Sequence, residues 1–232
     1  MRTITTIGFD ADDTLWHNEV HFRLTESRFA ELLADFAEKD HLTERLLEAE
    51  RRNVLHYGYG IKGFTLSMIE TAIEVTDGQA PSCVISEILA AGRELLRHPV
   101  ETFPGVAETL ETLKPDYRLV VITKGDLFDQ ERKLAASGID HLFDGVEIVS
   151  DKKSDTYARI FSHYGEGPAH AMMVGNSLRS DILPALEAGA WSVFIPHELT
   201  WALEHADEPA GHDRFRKVET IAQVPELLRT QD

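Results

Sequence analysis

The sequence predicts an α/β protein whose three-layer core, built on a parallel sheet, carries an inserted four-helix bundle. Helices and strands alternate after Pro104-Gly105, whereas the stretch from about residue 17 to residue 98 is helical and has no strand-like run. Strands that alternate with helices imply right-handed crossovers and a parallel sheet. We therefore expect an α/β core domain formed by residues 1–16 and 99–232, and a helical cap domain formed by residues 17–98.

The first predicted strand, residues 3–10, ends in two acids, Asp10 and Asp12. Its hydrophobic run Ile4–Phe9 is typical of a buried parallel strand, and ligands of open α/β sheets bind at the carboxyl ends of such strands. Two carboxylates this close repel each other, so a positive group must share their site or one of them must hold a proton. A divalent cation would settle this conflict and would also attract a phosphate.

The insertion is predicted to contain four helices, a number and length typical of a small bundle. Apolar residues recur at helical spacing over Glu26–Glu38. A second helix, with Asp40 as its candidate cap, runs to Tyr57. The third and fourth helices are predicted from Phe64 to Val75 and from a cap at Ser82 to Pro99.

The core is predicted to continue as alternating elements, ending in a closing helix. The predicted strands are Leu119–Thr123, Val146–Val149, Ala171–Gly175 and Ser192–Ile195. The predicted helices are Val106–Leu113, Leu127–Ser137, Asp155–Tyr164, Asp181–Ala188 and Gln223–Arg229.

Polar side chains follow three of these strands. Thr123-Lys124-Gly125 ends the second core strand, Lys152 follows the third, and Asn176 and Asp181 follow the fourth. Because the carboxyl ends of parallel strands meet at one edge of the sheet, we expect these groups to converge on the acids of the first strand. Oxygen ligands of this kind suit Mg²⁺.

This set of motifs resembles the haloacid dehalogenase superfamily of phosphotransferases, and the resemblance covers nearly the whole chain. It rests on Asp10-Ala11-Asp12-Asp13-Thr14, Thr123-Lys124-Gly125, Lys152, Gly175-Asn176-Ser177 with Asp181, and the helical cap after the first motif. It implies a Rossmann-like core, a phosphatase-type activity and Mg²⁺ as cofactor. Members that cleave carbon–halogen bonds lack the second acid, so Asp12 favours phosphoryl transfer.

The resemblance also implies a role for each matching residue. Asp10 would attack phosphorus to form an aspartyl-phosphate. Asp12 would protonate the leaving oxygen and then deprotonate the attacking water, while its main-chain carbonyl binds the metal. Thr123 would bind the transferring phosphoryl oxygens, and Lys124, through its amide, and Gly125 would take part in substrate binding.

Three further positions belong to the implied site. Lys152, preferred over the neighbouring Lys153, would offset the charge between the nucleophile and the phosphate. Asn176 and Asp181 would complete the metal site of Asp10 and Asp12, directly or through water. Two positions depart from the usual pattern: Asp13 stands where Gly is common and is expected to point outward, and Asn176 stands where Asp is usual.

The segment Gly58–Gly63 matches the spacing GxGxxG but follows a charged helix instead of a strand, so dinucleotide binding is not expected. The segment is either a flexible connection between cap helices or a loop that folds over the active site. In the second case, Tyr59 and Lys62 would contact the leaving group and bind substrate.

The composition limits the partners and the location. The net charge of −17 makes nonspecific binding to nucleic acid or to an anionic membrane unfavourable. The single cysteine, Cys83, excludes an internal disulfide. No apolar run approaches the roughly 20 residues that span a bilayer. We expect a cytoplasmic protein, a monomer or a homodimer, in which the acidic run Glu204–Glu208 is a solvated loop.

The expected function is the Mg²⁺-dependent hydrolysis of a small phosphorylated metabolite through an aspartyl-phosphate. A phosphomutase needs the same motifs but must keep water away from the aspartyl-phosphate. A non-catalytic phosphoryl-sensing module also uses an acidic cluster, Thr and Lys, although the second acid and the large cap count against it. A degenerate scaffold would bind neither metal nor phosphate.

Overall fold

The computed structural model describes residues 4–229, and these residues divide into two compact units. The core unit contains the residues up to Glu19, Val100–Lys124 and the chain from Gln130 onward. The helical unit contains Val20–Pro99 and Gly125–Asp129. The domain boundaries at residues 17 and 99 stay a prediction, and the short segment that groups with the helices directly after Lys124 lies outside the predicted cap.

A six-stranded sheet forms the centre of the core unit within residues 4–229, and its neighbouring strands are all parallel. The strands are β1 (Thr6–Phe9), β2 (Arg118–Lys124), β3 (Gly145–Val149), β4 (Ala171–Gly175), β5 (Trp191–Phe194) and β6 (Phe215–Lys217). Their order is β3-β2-β1-β4-β5-β6, so β1 lies between β2 and β4. This confirms the predicted α/β class with a parallel sheet. The strand β6 is not predicted from the sequence because its three residues contain no apolar run.

The helices begin close to their predicted positions, with one large difference. They are α1 (Glu19–Leu32), α2 (Lys39–Tyr57), α3 (Ile61–Val75), α4 (Ser82–Arg97), α5 (Val106–Leu113), α6 (Leu127–Ser137), α7 (Ser154–Tyr164), α8 (Leu183–Glu187) and α9 (Val224–Arg229). The prediction that the first helix spans Glu26–Glu38 is wrong at both ends. The helix α1 begins seven residues earlier than predicted because the Asp13 carboxylate accepts hydrogen bonds from the main-chain N–H groups of Asn18 and Glu19.

Three predicted helix starts also differ in detail. Asp40 is not the cap of α2 but lies in its first turn, where a negative charge interacts favourably with the helix dipole. Ser82 is the first residue of α4 and follows the capping position, Pro81. A π-helical turn, Leu178–Ile182, precedes α8, because the Ser177 side chain accepts the main-chain N–H of Ser180 and starts the turn early.

The sheet is covered on both faces, which confirms the predicted three-layer core. Successive residues of a strand point to opposite faces. On one face, Ile7 and Val121 pack in an apolar cluster with residues of α5 and α9. On the other face, Val120 and Met173 pack with residues of α7 and α8.

The helical unit has an apolar core of its own. The helix α3 packs against both α2 and α4. Phe29 of α1 joins Leu46, Met68 and Ile88 in the same cluster. Across residues 4–229, the helices lack the combination of length and apolar character that crossing a bilayer requires.

Gly8 of β1 makes room for the layer of helices on one face of the sheet. A Cβ atom at this position would lie 2.7 Å from Cδ1 of Ile122 and 3.2 Å from both Sδ of Met173 and Cε1 of Phe161. We predict that Gly8→Val lowers the free energy of unfolding by about 1–3 kcal/mol through overpacking. Chemical denaturation measures this loss. The matched control is Val146→Thr at an exposed position of the edge strand β3, and equal stability of the two variants would contradict the prediction.

Candidate active site

A buried lysine lies between two carboxylates beyond the carboxyl ends of the strands. The Nζ of Lys152 lies 2.5 Å from Oδ1 of Asp10 and 2.7 Å from Oδ1 of Asp181. The lysine side chain is only 2% exposed, whereas that of the neighbouring Lys153 is 69% exposed and lies 3.4 Å from Asp151. One ammonium therefore faces two buried carboxylates, and the group of three carries one net negative charge when both acids are ionised.

Local backbone geometry brings these side chains together. The main-chain N–H of Asp10 donates to the carbonyl of Val174 at 2.9 Å, which aligns the end of β1 with the end of β4. A Cβ atom at Gly175 would lie 2.5 Å from Cγ of Asp181, so only glycine lets this carboxylate approach the end of the strand. The other oxygen of Asp181 accepts the main-chain N–H of Ser177 at 2.9 Å. The glycine and the turn after β4 thus position the second carboxylate.

Electrostatics at Asp10 favour an additional cation. Burial, together with the charge of Asp181, raises the pKa of Asp10 to about 7, although Lys152 acts in the opposite direction. Burial alone would lower the pKa of Lys152, but the two carboxylates outweigh it and raise that pKa. The lysine therefore stays charged, and a second positive charge beside Asp10 would lower the pKa of this carboxyl.

Three oxygen-bearing groups meet on the other side of Asp10. One polar atom of the Asn176 amide lies 3.3 Å from the main-chain oxygen of Asp12 and 3.2 Å from Oδ2 of Asp10. The hydroxyl of Thr14 donates to the same Oδ2 at 3.1 Å. With its nitrogen in that position, the amide donates to both oxygens. With the amide oxygen in that position, three acceptors converge: the oxygens of Asn176, Asp10 and the Asp12 main chain. Such an arrangement is favourable only around a cation.

This donor set fits Mg²⁺. Mg²⁺ prefers carboxylate, carbonyl and water oxygens and usually keeps several waters. The candidate ligands are one oxygen of Asp10, the main-chain oxygen of Asp12 and the amide of Asn176, with Asp181 close by on Lys152. Between residues 4 and 229 there is no cluster of three His, Cys, Asp or Glu side chains that could hold a metal ion, so a site here depends on the carbonyl and the amide.

Asp12 lies in a different setting from Asp10. Its Oδ1 accepts hydrogen bonds from Nε1 of Trp16 and Nζ of Lys133, both at 2.8 Å, and its Oδ2 accepts one from Nε2 of Gln130 at 2.9 Å. Burial would raise the pKa of Asp12, but Lys133, together with Gln130 and Trp16, outweighs burial and lowers it. The side chain is thus held ionised.

The end of β2 brings the second motif next to the first. The buried hydroxyl of Thr123 accepts a hydrogen bond at 2.9 Å from the same Gln130 nitrogen that contacts Asp12. The Nζ of Lys124 donates to Oγ of Ser180 at 2.7 Å. Gly125 follows with a left-handed φ of 143° and groups with the helical unit.

Glu204 corrects the expectation that its acidic run is a solvated loop. Its side chain is 14% exposed, against 44% for Glu208. It forms an ion pair with Lys124, and its Oε2 accepts the hydroxyls of Ser177 at 2.6 Å and Ser180 at 2.5 Å. No local sequence pattern marks this residue, because the contacts join it to residues far away along the chain.

Asp13 corrects a second expectation, that it points outward. It is buried and has a left-handed φ of 61°. Its carboxylate accepts the main-chain N–H groups at the start of α1 and lies 3.8 Å from Nε2 of His197. Asp13 therefore anchors the chain after the first motif.

The two predicted substrate-binding residues of the insertion lie in the helical unit. Tyr59 is part of the connection between α2 and α3, and Lys62 lies in the first turn of α3. The Nζ of Lys62 forms an ion pair with Oδ2 of Asp126 at 2.8 Å within the same unit. Their roles in substrate binding stay predictions.

Comparison with known proteins assigns the family. The family model described as haloacid dehalogenase-like hydrolase matches residues 4–189, which is most of the chain. The chain belongs to the haloacid dehalogenase-like hydrolases. This confirms the family expected from the motifs at the strand ends, and with it the expectation of a hydrolase.

Individual relatives of this haloacid dehalogenase-like hydrolase agree with the assignment. A crystal structure of a haloacid dehalogenase-like family hydrolase from Xanthomonas campestris is 41% identical, with a TM-score of 0.88 over 99% of this chain and 92% of that one. The glyceraldehyde 3-phosphate phosphatase of Methanothermobacter thermautotrophicus is 37% identical over 54% of this chain and 58% of its own length. The N-acylneuraminate-9-phosphatase of Rattus norvegicus is 30% identical over 70% of this chain and 66% of its own length. The chain thus spans less than two thirds of either phosphatase.

The raised pKa of Asp10 predicts how stability depends on pH. Between pH 3.8 and about 7, the folded hydrolase holds a proton on Asp10 that the unfolded chain has lost. The contribution of Asp10 to stability therefore falls as the pH rises through this window. We predict that Asp10→Asn removes a slope of at most about 1.4 kcal/mol per pH unit. Denaturation in EDTA-containing buffers measures it, and parallel curves for the two proteins would contradict the prediction.

The contacts of Glu204 predict a stability difference between two acids of one loop. We predict that Glu204→Ala lowers the free energy of unfolding by about 1–3 kcal/mol, because the carboxylate that accepts hydrogen bonds from Lys124, Ser177 and Ser180 is removed. Glu208→Ala is the matched control and should change it by less than about 0.5 kcal/mol. Urea denaturation of both variants measures the difference. Equal free energies of unfolding for the two variants would contradict the prediction.

Proposed function

We propose that this hydrolase is a magnesium-dependent phosphatase that hydrolyses a small phosphorylated metabolite through an aspartyl-phosphate on Asp10. The observation that carries the proposal is the ammonium of Lys152, which lies 2.5 Å from Asp10 and 2.7 Å from Asp181 at the carboxyl ends of the strands. The relatives named glyceraldehyde 3-phosphate phosphatase and N-acylneuraminate-9-phosphatase support a small phosphorylated metabolite as the substrate class.

Asp10 is the nucleophile in this proposal. Its Oδ2 shares one side of the site with the main-chain oxygen of Asp12 and the amide of Asn176, so Oδ1 is the oxygen that attacks phosphorus. In the first step, the bond between Oδ1 and phosphorus forms while the bond between phosphorus and the leaving oxygen breaks. Lys152 holds the attacking oxygen and offsets the charge that it shares with the phosphate.

Asp12 moves the proton in both steps. Its protonated form gives the proton to the leaving oxygen, which departs as an alcohol. The carboxylate then takes a proton from a water molecule whose oxygen attacks phosphorus. The bond between phosphorus and Asp10 breaks, inorganic phosphate leaves, and both acids return to their starting states.

The remaining groups would bind the phosphoryl oxygens. The hydroxyl of Thr123 and the main-chain N–H groups at Lys124 and Gly125 are the proposed donors at the end of β2. Mg²⁺, bound by Asp10, Asp12, Asn176 and Asp181, would supply positive charge against the phosphoryl oxygens. Charge neutralisation and positioning would provide most of the rate acceleration.

A phosphate-release screen tests this function. We predict that the purified protein with Mg²⁺ releases inorganic phosphate from members of a panel of sugar phosphates, nucleotides and phosphorylated acids. Asp10→Asn should lower kcat by about 10⁴-fold or more, because it removes the proposed nucleophile. Asp35→Asn, at an exposed position of the helical unit, is the control and should leave kcat unchanged.

The same screen can overturn the proposal in three ways. No phosphate release from any ester in the panel, with or without Mg²⁺, would refute the phosphatase activity. Turnover that persists in Asp10→Asn would refute the proposed nucleophile. Turnover that is unaffected by EDTA would refute the dependence on magnesium.

A further inference from the structure

Two polar side chains of one helix hold the Asp12 carboxylate. Gln130 and Lys133 are three residues apart in α6, so they lie on the same face of the helix. Both are buried. The lysine contacts Oδ1 of Asp12 at 2.8 Å and the glutamine contacts Oδ2 at 2.9 Å. Each oxygen of the carboxylate therefore has a donor from this helix.

The amide nitrogen of Gln130 also connects Asp12 to the end of β2. It lies 2.9 Å from each of three acceptors: Oδ2 of Asp12, the hydroxyl of Thr123 and the main-chain oxygen of Lys124. Two N–H hydrogens are thus shared among three oxygens. Because one buried amide contacts both motifs, the distance between the Asp12 carboxylate and the Thr123 hydroxyl depends on Gln130.

Lys133 connects Asp12 to the chain that follows the first motif. Its Nζ donates to Oδ1 of Asp12 at 2.8 Å and to Oδ1 of Asn18 at 2.9 Å. The main-chain N–H of Asn18 in turn donates to Asp13. A buried lysine is costly unless a carboxylate balances its charge, and the half-buried carboxylate of Asp12 does so here. Neither Lys133 nor Gln130 has a part in the proton and phosphoryl transfers proposed above.

We propose that Gln130 and Lys133 are positioning residues, which fix the Asp12 carboxylate at the place from which it exchanges a proton with the leaving oxygen. This inference rests on the proposed phosphatase function. If it holds, removing the Lys133 side chain impairs proton transfer to the leaving oxygen and leaves the attack of Asp10 on phosphorus intact. The defect then depends on the leaving group, because a phenolate that departs readily needs no proton and an alkoxide does. Gln130 also contacts Thr123, so its removal adds a loss of phosphoryl binding that both substrates share.

Two substrates with different leaving groups separate proton transfer to the leaving oxygen from the steps that both substrates share. The first is p-nitrophenyl phosphate, and the second is the alkyl phosphate that the wild type turns over fastest in the screen. We predict that Lys133→Met lowers kcat/KM, which reports the steps up to release of the leaving group, by about 10²-fold for the alkyl phosphate and by no more than about threefold for p-nitrophenyl phosphate. Hydrolysis of the aspartyl-phosphate, in which Asp12 takes a proton from water, is the same for both substrates and does not enter kcat/KM. Lys133→Arg, which keeps the charge and the donors, should recover part of the loss.

Control variants separate positioning from folding. Glu131→Gln changes an exposed residue of the same helix and should match the wild type with both substrates. Gln130→Met keeps the size of the side chain, removes its donors and leaves Lys133 in place, so it provides the test if Lys133→Met does not fold. Circular dichroism melting curves show which variants are folded at the assay temperature.

The outcomes distinguish this inference from the proposed function. A loss of kcat/KM that is much larger for the alkyl phosphate than for p-nitrophenyl phosphate supports the inference. Equal losses of kcat/KM with both substrates, or no loss with either, would overturn it while the phosphatase function stands. A wild type that releases phosphate from neither substrate would overturn the proposed function itself.

Discussion

The interaction on which the site depends is the contact of a single ammonium with two buried carboxylates. Lys152, which follows β3, links Asp10, at the end of β1, to Asp181, in the turn after β4, and so joins the chain segments that follow three strands of the sheet. It balances only one of the two charges. The ammonium therefore holds the two acids together, and the remaining negative charge attracts a further cation. The adjacent carbonyl and amide oxygens are suitable ligands for that cation.

Two acids separated by one residue have opposite electrostatic surroundings. Burial raises the pKa of Asp10, whereas the donors around Asp12 overcome burial and lower its pKa. A nucleophile needs the ionised form and a proton donor the neutral one, so each acid must change when the reaction partners bind. A cation beside Asp10 lowers its pKa, and a phosphate near Asp12 raises the pKa of that acid. The proposed mechanism thus requires metal and substrate to prepare the acids.

Much of the fold and of the candidate site follows from the sequence, since strong periodicity and the geometry of parallel strands determine both. The alternation of elements after Gly105 predicts β2 to β5 but misses the short β6, and the convergence of strand ends brings Asp10, Lys152 and Asp181 together. The supporting residues are harder to predict. Gln130 and Lys133 look like ordinary polar residues of a helix, and Glu204 reaches its partners from a connection without pattern. Their importance comes from tertiary contacts that no local sequence window contains.

The most direct test of the central claim is the identity of the residue that becomes phosphorylated. Acid quenching of the protein during turnover, reduction of the acyl phosphate with borohydride and mass spectrometry of the peptides locate this residue. We predict that the reduced aspartate is Asp10 and that Lys152→Met yields none within the same reaction time. A modified residue other than Asp10, or turnover without any acyl phosphate, would contradict the claim that Lys152 prepares this carboxylate for bonding to phosphorus.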